Sequence, residues 1–512
     1  MNKKSLATEF LENNIYRFIH TFVIYLGGLI FTIVTARLLG PEGLGTYTLA
    51  LSFALILMTL GDLGINEAMI RYVSKNINNP KKAKSYFVYL FKIKLVILIS
   101  LSFLLLIFSK VIVYFYHDEN LFIPLIFASF YIFFYSFMQL SMNLFISFKN
   151  IKGTVFKEIV FQSFRVVLIP ALVLLTLFKI AGPIIFEIIA SIFGSIFAYF
   201  YLYKKYPLFF KEKSGPIDKK ELFGFIKYLS IGSLTILFLL YTDILILGKF
   251  VELKYVGFYK TAASITMMLV SIMTLTSTLY PILSQLDKKR SEEIFKKIVY
   301  VLLMFSIPMS IGVIMVSRFV IRLLFGYDFL PSTIPLYGLS LLILIMPIEE
   351  LFRILLNSKG ESKITGKTIF YAGLINILLN FVFIYTFLFL FKDPIYATLG
   401  AAIATSISRG FVIITLFRHT KNKFKIKLNP SWILKPLFAS FIMALFLIIF
   451  DKLTFGISNI WLVALEIILG ALIYFITLFL IKGILRKDLI FFKETATDLF
   501  SRYNFSIKSN KH

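Results

Sequence analysis

Residues 15–39 read IYRFIHTFVIYLGGLIFTIVTARLL, a predominantly apolar run that is long enough to cross a bilayer as one helix. About 20 apolar residues span the hydrocarbon core, whereas a strand of a membrane barrel needs about ten and alternates polar with apolar positions. The run is too long for the apolar part of a signal peptide and lacks a small-residue cleavage site. We therefore predict a membrane-spanning helix that stays in the protein.

Similar runs recur along the whole chain. The 512 residues are 59% apolar and 16% charged, with a mean hydropathy of +0.86, so the chain has too little polar surface to cover soluble domains. The sequence predicts an all-α polytopic membrane protein with about 14 transmembrane helices. The predicted spans are residues 15–39, 44–62, 86–109, 121–147, 155–178, 182–203, 223–248, 256–284, 298–325, 332–356, 366–391, 395–417, 432–451 and 457–481.

Basic residues alternate between the two sides of the predicted bundle. Lysines are concentrated on one side, in residues 81–84, 204–220 and 421–427, and in a basic tail. About 40 of the 54 lysines and arginines fall on that side, which the positive-inside rule assigns to the cytoplasm. We expect both termini to be cytoplasmic in a protein of the cell membrane. The net charge of +27 follows from this topology and from contact with anionic lipids, so nucleic acid is not an expected partner.

A sequence repeat links the two halves of the chain. Residues 38–50 read LLGPEGLGTYTLA, and residues 246–262 read ILGKFVELKYVGFYKTA. Both passages contain Leu-Gly, a short loop, and then Gly-x-Tyr-x-x-Ala at the start of the next helix. Because the copies are six spans apart, they run in the same direction, which predicts two parallel lobes, an architecture of secondary transporters. The residues would also suit a tight turn with an interfacial tyrosine.

The N-terminal region also resembles a known family. Residues 35–47 (TARLLGPEGLGTY), 61–65 (GDLGI) and 70–72 (IRY) are similar to the opening helices of the oligosaccharide flippases of polysaccharide biosynthesis, within the multidrug/oligosaccharidyl-lipid/polysaccharide exporter superfamily. This resemblance implies two six-helix lobes around a central cavity, two appended C-terminal helices and alternating access. It also implies movement of a polyprenyl-(di)phosphate-linked oligosaccharide to the outer leaflet, for assembly of cell-surface polysaccharide or glycan.

The domain prediction follows this plan. We expect an N-terminal lobe at residues 1–205, a basic cytoplasmic linker at 206–221, a C-terminal lobe at 222–418, two appended helices at 432–482 and a basic cytoplasmic tail at 483–512. The expected partners are membrane lipids, the lipid-linked glycan, and glycosyltransferases or a polymerase of the same pathway. We expect the protein to act as a monomer.

Ionisable residues within the predicted spans are the candidates for transport chemistry, because charges at membrane depth must face a cavity or a partner. A lipid-linked diphosphate is a concentrated anion, so its cavity should present arginine or lysine. Arg165 and Arg409 fit best and take matching places near the ends of the two halves. The alternative is an ion pair that holds helices together, such as Arg165 with Glu187. The full set of predicted lumen residues is Arg165, Arg409, Lys260, Arg353, Asn376 and Asn380.

A coupling ion, either a proton or sodium, is the only cofactor that the sequence suggests. Asp243 and Glu187 are its candidate ligands, since a secondary transporter needs a carboxylate whose occupancy differs between states. A metal site is not expected, because the chain has no cysteine and its four histidines lie far apart in sequence. Lys92 and Lys94, near the entrance of a span, are expected to snorkel to the interface.

Two other functions stay open at this point. One is a cation-coupled exporter of drugs or small solutes on the same scaffold. The other is a membrane glycosyltransferase or polymerase, which would typically carry a sizeable exterior loop with clustered carboxylates. The longest predicted exterior connection is only about a dozen residues, at 109–121. An ATP-driven pump is disfavoured because the chain has no Gly-x-x-x-x-Gly-Lys-Ser/Thr loop.

Overall fold

The computed structural model describes residues 6–174, 178–227, 239, 241–273, 279, 283–284, 286–424, 429–453 and 460–483. Within these ranges the regular secondary structure is helical, without strands. The α-helices are α1 Leu6–Asp62, α2 Ile65–Lys75, α3 Pro80–Tyr116, α4 Phe122–Ser147, α5 Ile151–Leu168, α6 Gly182–Lys205, α7 Pro207–Lys211, α8 Thr242–Phe250, α9 Leu253–Met273, α10 Lys288–Met315, α11 Ser317–Phe325, α12 Thr333–Leu339, α13 Leu341–Ser358, α14 Ser362–Phe391, α15 Ile395–Phe424, α16 Ser431–Leu453 and α17 Ile460–Leu480. Short 3-10 helices occupy Glu119–Leu121, Ile169–Leu174 and Tyr327–Ser332.

The observed helices account for the predicted membrane spans wherever the chain is described. In those ranges, 10 helices are long and apolar enough to cross a membrane, and α1 holds the first two predicted spans on either side of a bend at Gly40. The predicted spans at 155–178 and 332–356 are present as interrupted helices. Most of the predicted span at 223–248 lies outside the described residues. The chain is therefore an all-α polytopic membrane protein, and about 14 crossings fit it.

The helices form two lobes and an appended pair. Helices α1 to α6 pack together as the N-terminal lobe, α8 to α15 as the C-terminal lobe, and α16 with α17 against α10. The Tyr474 hydroxyl of α17 donates to the Met304 carbonyl of α10 at 2.6 Å. Large apolar side chains such as Phe103, Leu378 and Phe441 are exposed on the outer faces of α3, α14 and α16. Lipid must cover these faces, because soluble proteins rarely expose so much apolar surface.

The two copies of the sequence repeat pack directly against each other and join the lobes. A Cβ on Gly45 of α1 would come within 1.7 Å of the Leu253 carbonyl oxygen of α9. A Cβ on Gly257 of α9 would come within 2.1 Å of the Pro41 carbonyl oxygen. Only glycine permits this approach of two backbones. The repeat therefore forms the contact between the lobes.

The tyrosines of the repeat are buried, so their interpretation as interfacial residues is wrong. Tyr47 is 4% and Tyr259 is 2% exposed. The Tyr47 hydroxyl donates to Glu187 Oε1 at 3.2 Å, and the Tyr259 hydroxyl donates to the Asp243 carboxylate. Each copy thus brings a buried hydroxyl to a buried carboxylate, next to the contact between the lobes.

Further hydrogen bonds between the lobes lie at the same end of the bundle as this contact. We call this end the Gly40 end, and we call the opposite end, which includes the turn before α5, the Asn150 end. The Tyr116 hydroxyl at the end of α3 donates to the Leu245 carbonyl of α8 at 3.1 Å. The Arg37 guanidinium of α1 donates to the Leu324 carbonyl at 2.8 Å, near the end of α11. The Gly40 end is therefore closed in this structure.

The predicted boundaries between lobes remain predictions, although the structure describes part of the linker at 206–221. It begins with the short helix α7 and continues without regular secondary structure from 213 to 218. The Gly215 amide donates to Ser85 Oγ at 2.7 Å, and Lys84 Nζ donates to the Phe210 carbonyl at 2.5 Å. The linker thus packs against the start of α3. Of the predicted tail at 483–512, only residue 483 is described.

The variant Gly257→Ala should weaken the contact between the lobes. Its methyl group would overlap main-chain atoms at Pro41, which cannot rotate away, and such overpacking costs about 1–3 kcal/mol. We expect a lower unfolding temperature for the purified variant in detergent. Gly366→Ala is the control, since a Cβ there meets nothing within 4 Å. Unfolding of Gly257→Ala at the wild-type temperature would contradict the close contact.

Candidate functional site

A cavity of about 440 Å³ lies between the N-terminal lobe and α9, and we call it the interlobe cavity. Its walls come from α1, α4, α5, α6 and α9. The aromatic lining residues are Tyr25, Phe31, Tyr47, Tyr131, Tyr135 and Phe161, and the charged ones are Glu158, Arg165, Glu187 and Lys260. Both lobes therefore contribute to one polar space within a membrane bundle.

Arg165 lies on the wall of this cavity and is also ion-paired. Its Nη1 is 2.9 Å from Glu187 Oε1, which joins α5 to α6. The guanidinium stacks over the Phe31 ring at 4.4 Å and is largely buried, with 11% of the side chain exposed. Glu187 accepts from Tyr47 as well. The structure thus combines both interpretations of Arg165, because the pair with Glu187 exists and borders the cavity.

Lys260 gives the interlobe cavity a surplus of positive charge. Glu158 is paired with Lys157 at 3.0 Å, as Glu187 is with Arg165. Lys260 has no ionic partner within 4 Å among the described residues, although it interacts over a longer distance with Glu187 and Arg165. The two acidic groups of the cavity are thus already matched, whereas Lys260 has no ion pair among the described residues.

Arg409 occupies a different place from Arg165, so the prediction of matching positions is wrong. Arg409 Nη1 of α15 is 3.1 Å from Glu349 Oε2 of α13, and neither residue lines the interlobe cavity. The Arg165 pair joins the fifth and sixth predicted spans, whereas the Arg409 pair joins the tenth and twelfth. An offset of six spans does not relate these two pairs.

Three other predicted lumen residues also lie away from the interlobe cavity. Arg353 is 3.0 Å from Glu350 on its own helix. Asn376 of α14 donates to Thr405 Oγ1 at 3.2 Å and to a serine of α15, and Asn380 donates to the Asn376 carbonyl at 2.9 Å. The asparagines are 1% and 0% exposed. In this state they bond across helices, and their role in the lumen stays a prediction.

Asp243 is a buried carboxylate that has no ion pair among the described residues, although Arg409 interacts with it over a longer distance. It accepts from the Tyr259 hydroxyl and, at 2.9 Å, from the Ile244 amide. Tyr259 in turn interacts with Thr405, which bonds Asn376. No lysine, arginine or histidine lies within 4 Å of this carboxylate in the described part of the chain. The described residues also hold no cluster of three or more histidine or acidic side chains suited to a metal.

A second polar cavity, of about 340 Å³, is lined in part by Lys94, which the sequence predicted to lie at the membrane interface. Lys94 does not snorkel: it is 3% exposed, and its Nζ is 2.6 Å from Asp62 Oδ1. We call this cavity the side pocket. Leu55, Tyr135 and Gln139 line both this pocket and the interlobe cavity, so the two spaces adjoin. A charged residue this deep in a membrane helix marks a functional site unless its partner is purely structural.

An apolar groove of about 440 Å³ adjoins the interlobe cavity on its other side. It lies between α1, α9, α10, α11 and the appended pair α16 and α17. Its lining is almost entirely apolar and includes Met268, Phe305, Met443 and Ala471. Leu29 lines both this groove and the interlobe cavity. A polar space and an apolar groove therefore meet at α1.

The polysaccharide biosynthesis protein family matches residues 10–287, which is more than half of the chain. The chain belongs to the polysaccharide biosynthesis protein family. The chain is also similar to two curated proteins. An uncharacterized membrane protein of Methanocaldococcus jannaschii is 24% identical over 421 residues, covering 76% of this chain and 80% of the relative. A probable low-salt glycan biosynthesis flippase of Haloferax volcanii, Agl15, is 26% identical over 267 residues, covering 50% of this chain and 53% of the relative.

Solved structures place this family member in a transporter fold. A lipid II flippase, MurJ, in an inward closed conformation has a TM-score of 0.72 at 19% identity, with 93% of this chain and 99% of that chain covered. An inward-facing multidrug resistance MATE family transporter has a TM-score of 0.63 at 14% identity, with coverages of 78% and 95%. These solved structures are a flippase and a transporter, and the similarity shows that this chain has the same fold.

The contribution of the pair Arg165–Glu187 to the stability of the protein can be tested with single and double variants. Arg165→Gln alone should destabilise the protein by about 3–5 kcal/mol, because it leaves a buried carboxylate without its cation. Arg165→Gln with Glu187→Gln should recover most of that loss. The measurement is the unfolding temperature in detergent. If the double variant is no more stable than Arg165→Gln, the pair does not hold the helices together.

Proposed function

We propose that the protein is a flippase that moves a polyprenyl-(di)phosphate-linked oligosaccharide from the cytoplasmic to the outer leaflet of the cell membrane, by alternating access. Membership in the polysaccharide biosynthesis family and the transporter fold support the general activity. The observation that carries the choice of substrate is Lys260, a lysine of the interlobe cavity that has no ion pair among the described residues. A cation held there is costly unless an anion or water accompanies it.

The charge of the interlobe cavity favours an anionic substrate. Its lysine and arginine can form charge-assisted hydrogen bonds with phosphate oxygens, which are stronger than bonds between neutral groups. Arg165 presents a planar guanidinium, but Glu187 already occupies one of its donors. Lys260 has all three donors available in the described structure. In this proposal the diphosphate lies between Lys260 and the outer face of Arg165.

The apolar groove suits the prenyl part of the substrate. Burying a hydrocarbon chain against apolar side chains contributes about 25 cal/mol per Å² of area removed from water. In a bilayer this gain is absent, so the groove acts by shape and guides the chain alongside the polar cavity. Because Leu29 borders both spaces, a single amphiphile can occupy them together, with its headgroup in the interlobe cavity and its chain between α1 and α16.

The closed Gly40 end supports alternating access in a defined orientation. The lysine-rich loops lie at the Asn150 end, which we assign to the cytoplasm, and the Gly40 end then faces the outer leaflet. In this arrangement both termini are cytoplasmic. Export requires the backbones at Gly45 and Gly257 to move apart. The contact there consists of backbone and small residues, so its separation breaks no ion pair.

A cation-coupled exporter of drugs is the second candidate, and the cavity disfavours it. Cationic drugs need an acidic cavity, whereas the two carboxylates here are matched by Lys157 and Arg165. Coupling to an ion nevertheless fits the flippase. We propose that Asp243 binds the coupling proton or sodium ion, since it is a buried carboxylate that the described residues satisfy with a hydroxyl and a backbone amide rather than with an ion pair.

The variant Lys260→Met tests the anion site. Loss of one charge-assisted bond, worth about 1.5–3 kcal/mol, should slow leaflet exchange of a polyprenyl diphosphate oligosaccharide in vesicles by about tenfold or more. The fold should persist, because Lys260 has no ionic partner in the described structure to leave unmatched. Lys254→Met is the matched control, since Lys254 is a half-exposed lysine of the same helix that does not line the cavity. Equal exchange by wild type and Lys260→Met would rule out the proposed site.

The variant Asp243→Asn tests coupling. We expect wild-type exchange in vesicles to respond to an imposed sodium or proton gradient, and the variant to exchange lipid independently of that gradient. Asp328→Asn, at an exposed position of the 3-10 helix Tyr327–Ser332, is the control. Retention of the gradient response in Asp243→Asn would exclude this residue, and a wild type indifferent to both gradients would exclude coupling altogether.

A further inference from the structure

The side pocket differs in chemistry from the interlobe cavity that it adjoins. Its walls come from the end of α1, from α2, α3 and α4, and from Tyr241. Its charged lining residues are Asp62 and Lys94, which neutralise each other at 2.6 Å. Asp62 also accepts a hydrogen bond from the main-chain N–H of Asn66 at 3.4 Å, which holds it against the start of α2. The lining of the pocket therefore carries no surplus charge, and the neighbouring Glu67, which interacts with Asp62 and Lys94 over a longer distance, is not part of the lining.

Side-chain amides give the pocket open hydrogen-bonding positions. Asn143 Nδ2 donates to Asn66 Oδ1 at 2.8 Å, and Gln139 Nε2 donates to the Tyr135 hydroxyl at 2.8 Å. Among the described residues, Asn66 Nδ2, Asn143 Oδ1 and Gln139 Oε1 have no further partner. An amide carries both donors and acceptors, and a partly buried polar group left open is costly. The pocket thus offers donors and acceptors side by side to a ligand with both.

Sugar residues have this combination, because each hydroxyl donates and accepts. Aromatic faces also suit sugar rings, and Tyr135 on the shared wall is stacked on Tyr131 with centroids 4.9 Å apart. The volume of about 340 Å³ lies within the roughly 300–1,000 Å³ usual for small-molecule sites. Gln139, which borders both spaces, would sit next to the first sugar after the phosphate.

We propose that the side pocket binds the phosphate-proximal sugars of the substrate and selects uncharged sugars that bear hydroxyl or amide groups. This inference rests on the proposed function for the position of the phosphate in the interlobe cavity. Asn66, Gln139 and Asn143 are the specificity-determining residues, and the pair Asp62–Lys94 positions them. A site built to bond hydroxyls discriminates against an analogue without them, since its own groups then stay unpaired.

The test compares two lipids in vesicles that contain the full-length protein. One is a polyprenyl diphosphate that carries a neutral oligosaccharide, and the other is the same polyprenyl diphosphate without sugar. The variants are Asn143→Leu and Asn66→Ala, with Phe130→Leu as the control, since Phe130 is on α4 but 48% exposed on the bundle surface. Binding of the free oligosaccharide to detergent-purified protein is measured in parallel.

We expect both variants to lower the ratio of glycosylated to sugar-free lipid exchange by about tenfold, and to weaken binding of the free oligosaccharide. Exchange of the sugar-free lipid reports folding within the same sample. An unchanged ratio in both variants, with active wild type, overturns the pocket and leaves the flippase intact. If wild type exchanges neither lipid, the proposed function fails; oligosaccharide binding that Asn143→Leu abolishes would then still support the pocket, and no binding would overturn it.

Discussion

The constraint on which this structure depends is that a charge inside a bilayer must be matched or must face a polar space. The described helices meet it with buried pairs, such as Arg165 with Glu187 and Arg409 with Glu349. Each pair joins two helices of one lobe, so the charges hold each lobe together without linking the lobes to each other. The described contacts between the lobes are hydrogen bonds to backbone carbonyls and the close approach of the Gly45 and Gly257 backbones. Ion pairs thus stabilise each lobe, and backbone contacts connect the lobes.

Helix α9 is the element that both sites share. Tyr259 bonds the Asp243 carboxylate, and the next residue, Lys260, lines the interlobe cavity. Successive residues of a helix point about 100° apart, so one helix reaches both places with neighbouring side chains. A change in the occupancy of Asp243 that turns or shifts α9 must therefore move Lys260. Gly257, about one turn earlier, packs the same helix against Pro41, so α9 connects the proposed ion site, the interlobe cavity and the contact between the lobes.

The sequence predicted the features that depend on composition and helix length, and it failed where packing decides. Apolar runs located the helices, and the repeat located the contact between the lobes. The possible partner of Arg165 could be named because Glu187 follows in the next span. Lys94 was misplaced because α3 begins at Pro80 and not at residue 86, which puts the lysine about four turns inside the helix. Its partner Asp62 lies on another helix, and a single sequence contains no signal for that contact. The supposed match of Arg165 with Arg409 failed for the same reason.

The three cavities follow one another in the same order as the three parts of the proposed substrate, which are the prenyl chain, the phosphate and the sugars. The groove beside α16 is apolar, the interlobe cavity holds a surplus cation, and the side pocket is neutral and rich in amides. Leu29 lines both of the first two spaces, and Gln139 lines both of the last two. A substrate with only one of these parts would leave cavities filled by water or lipid, and it would give up contacts that distinguish states of the transporter. Differential binding between states is what drives a conformational cycle. The arrangement therefore favours a molecule that fills all three spaces at once.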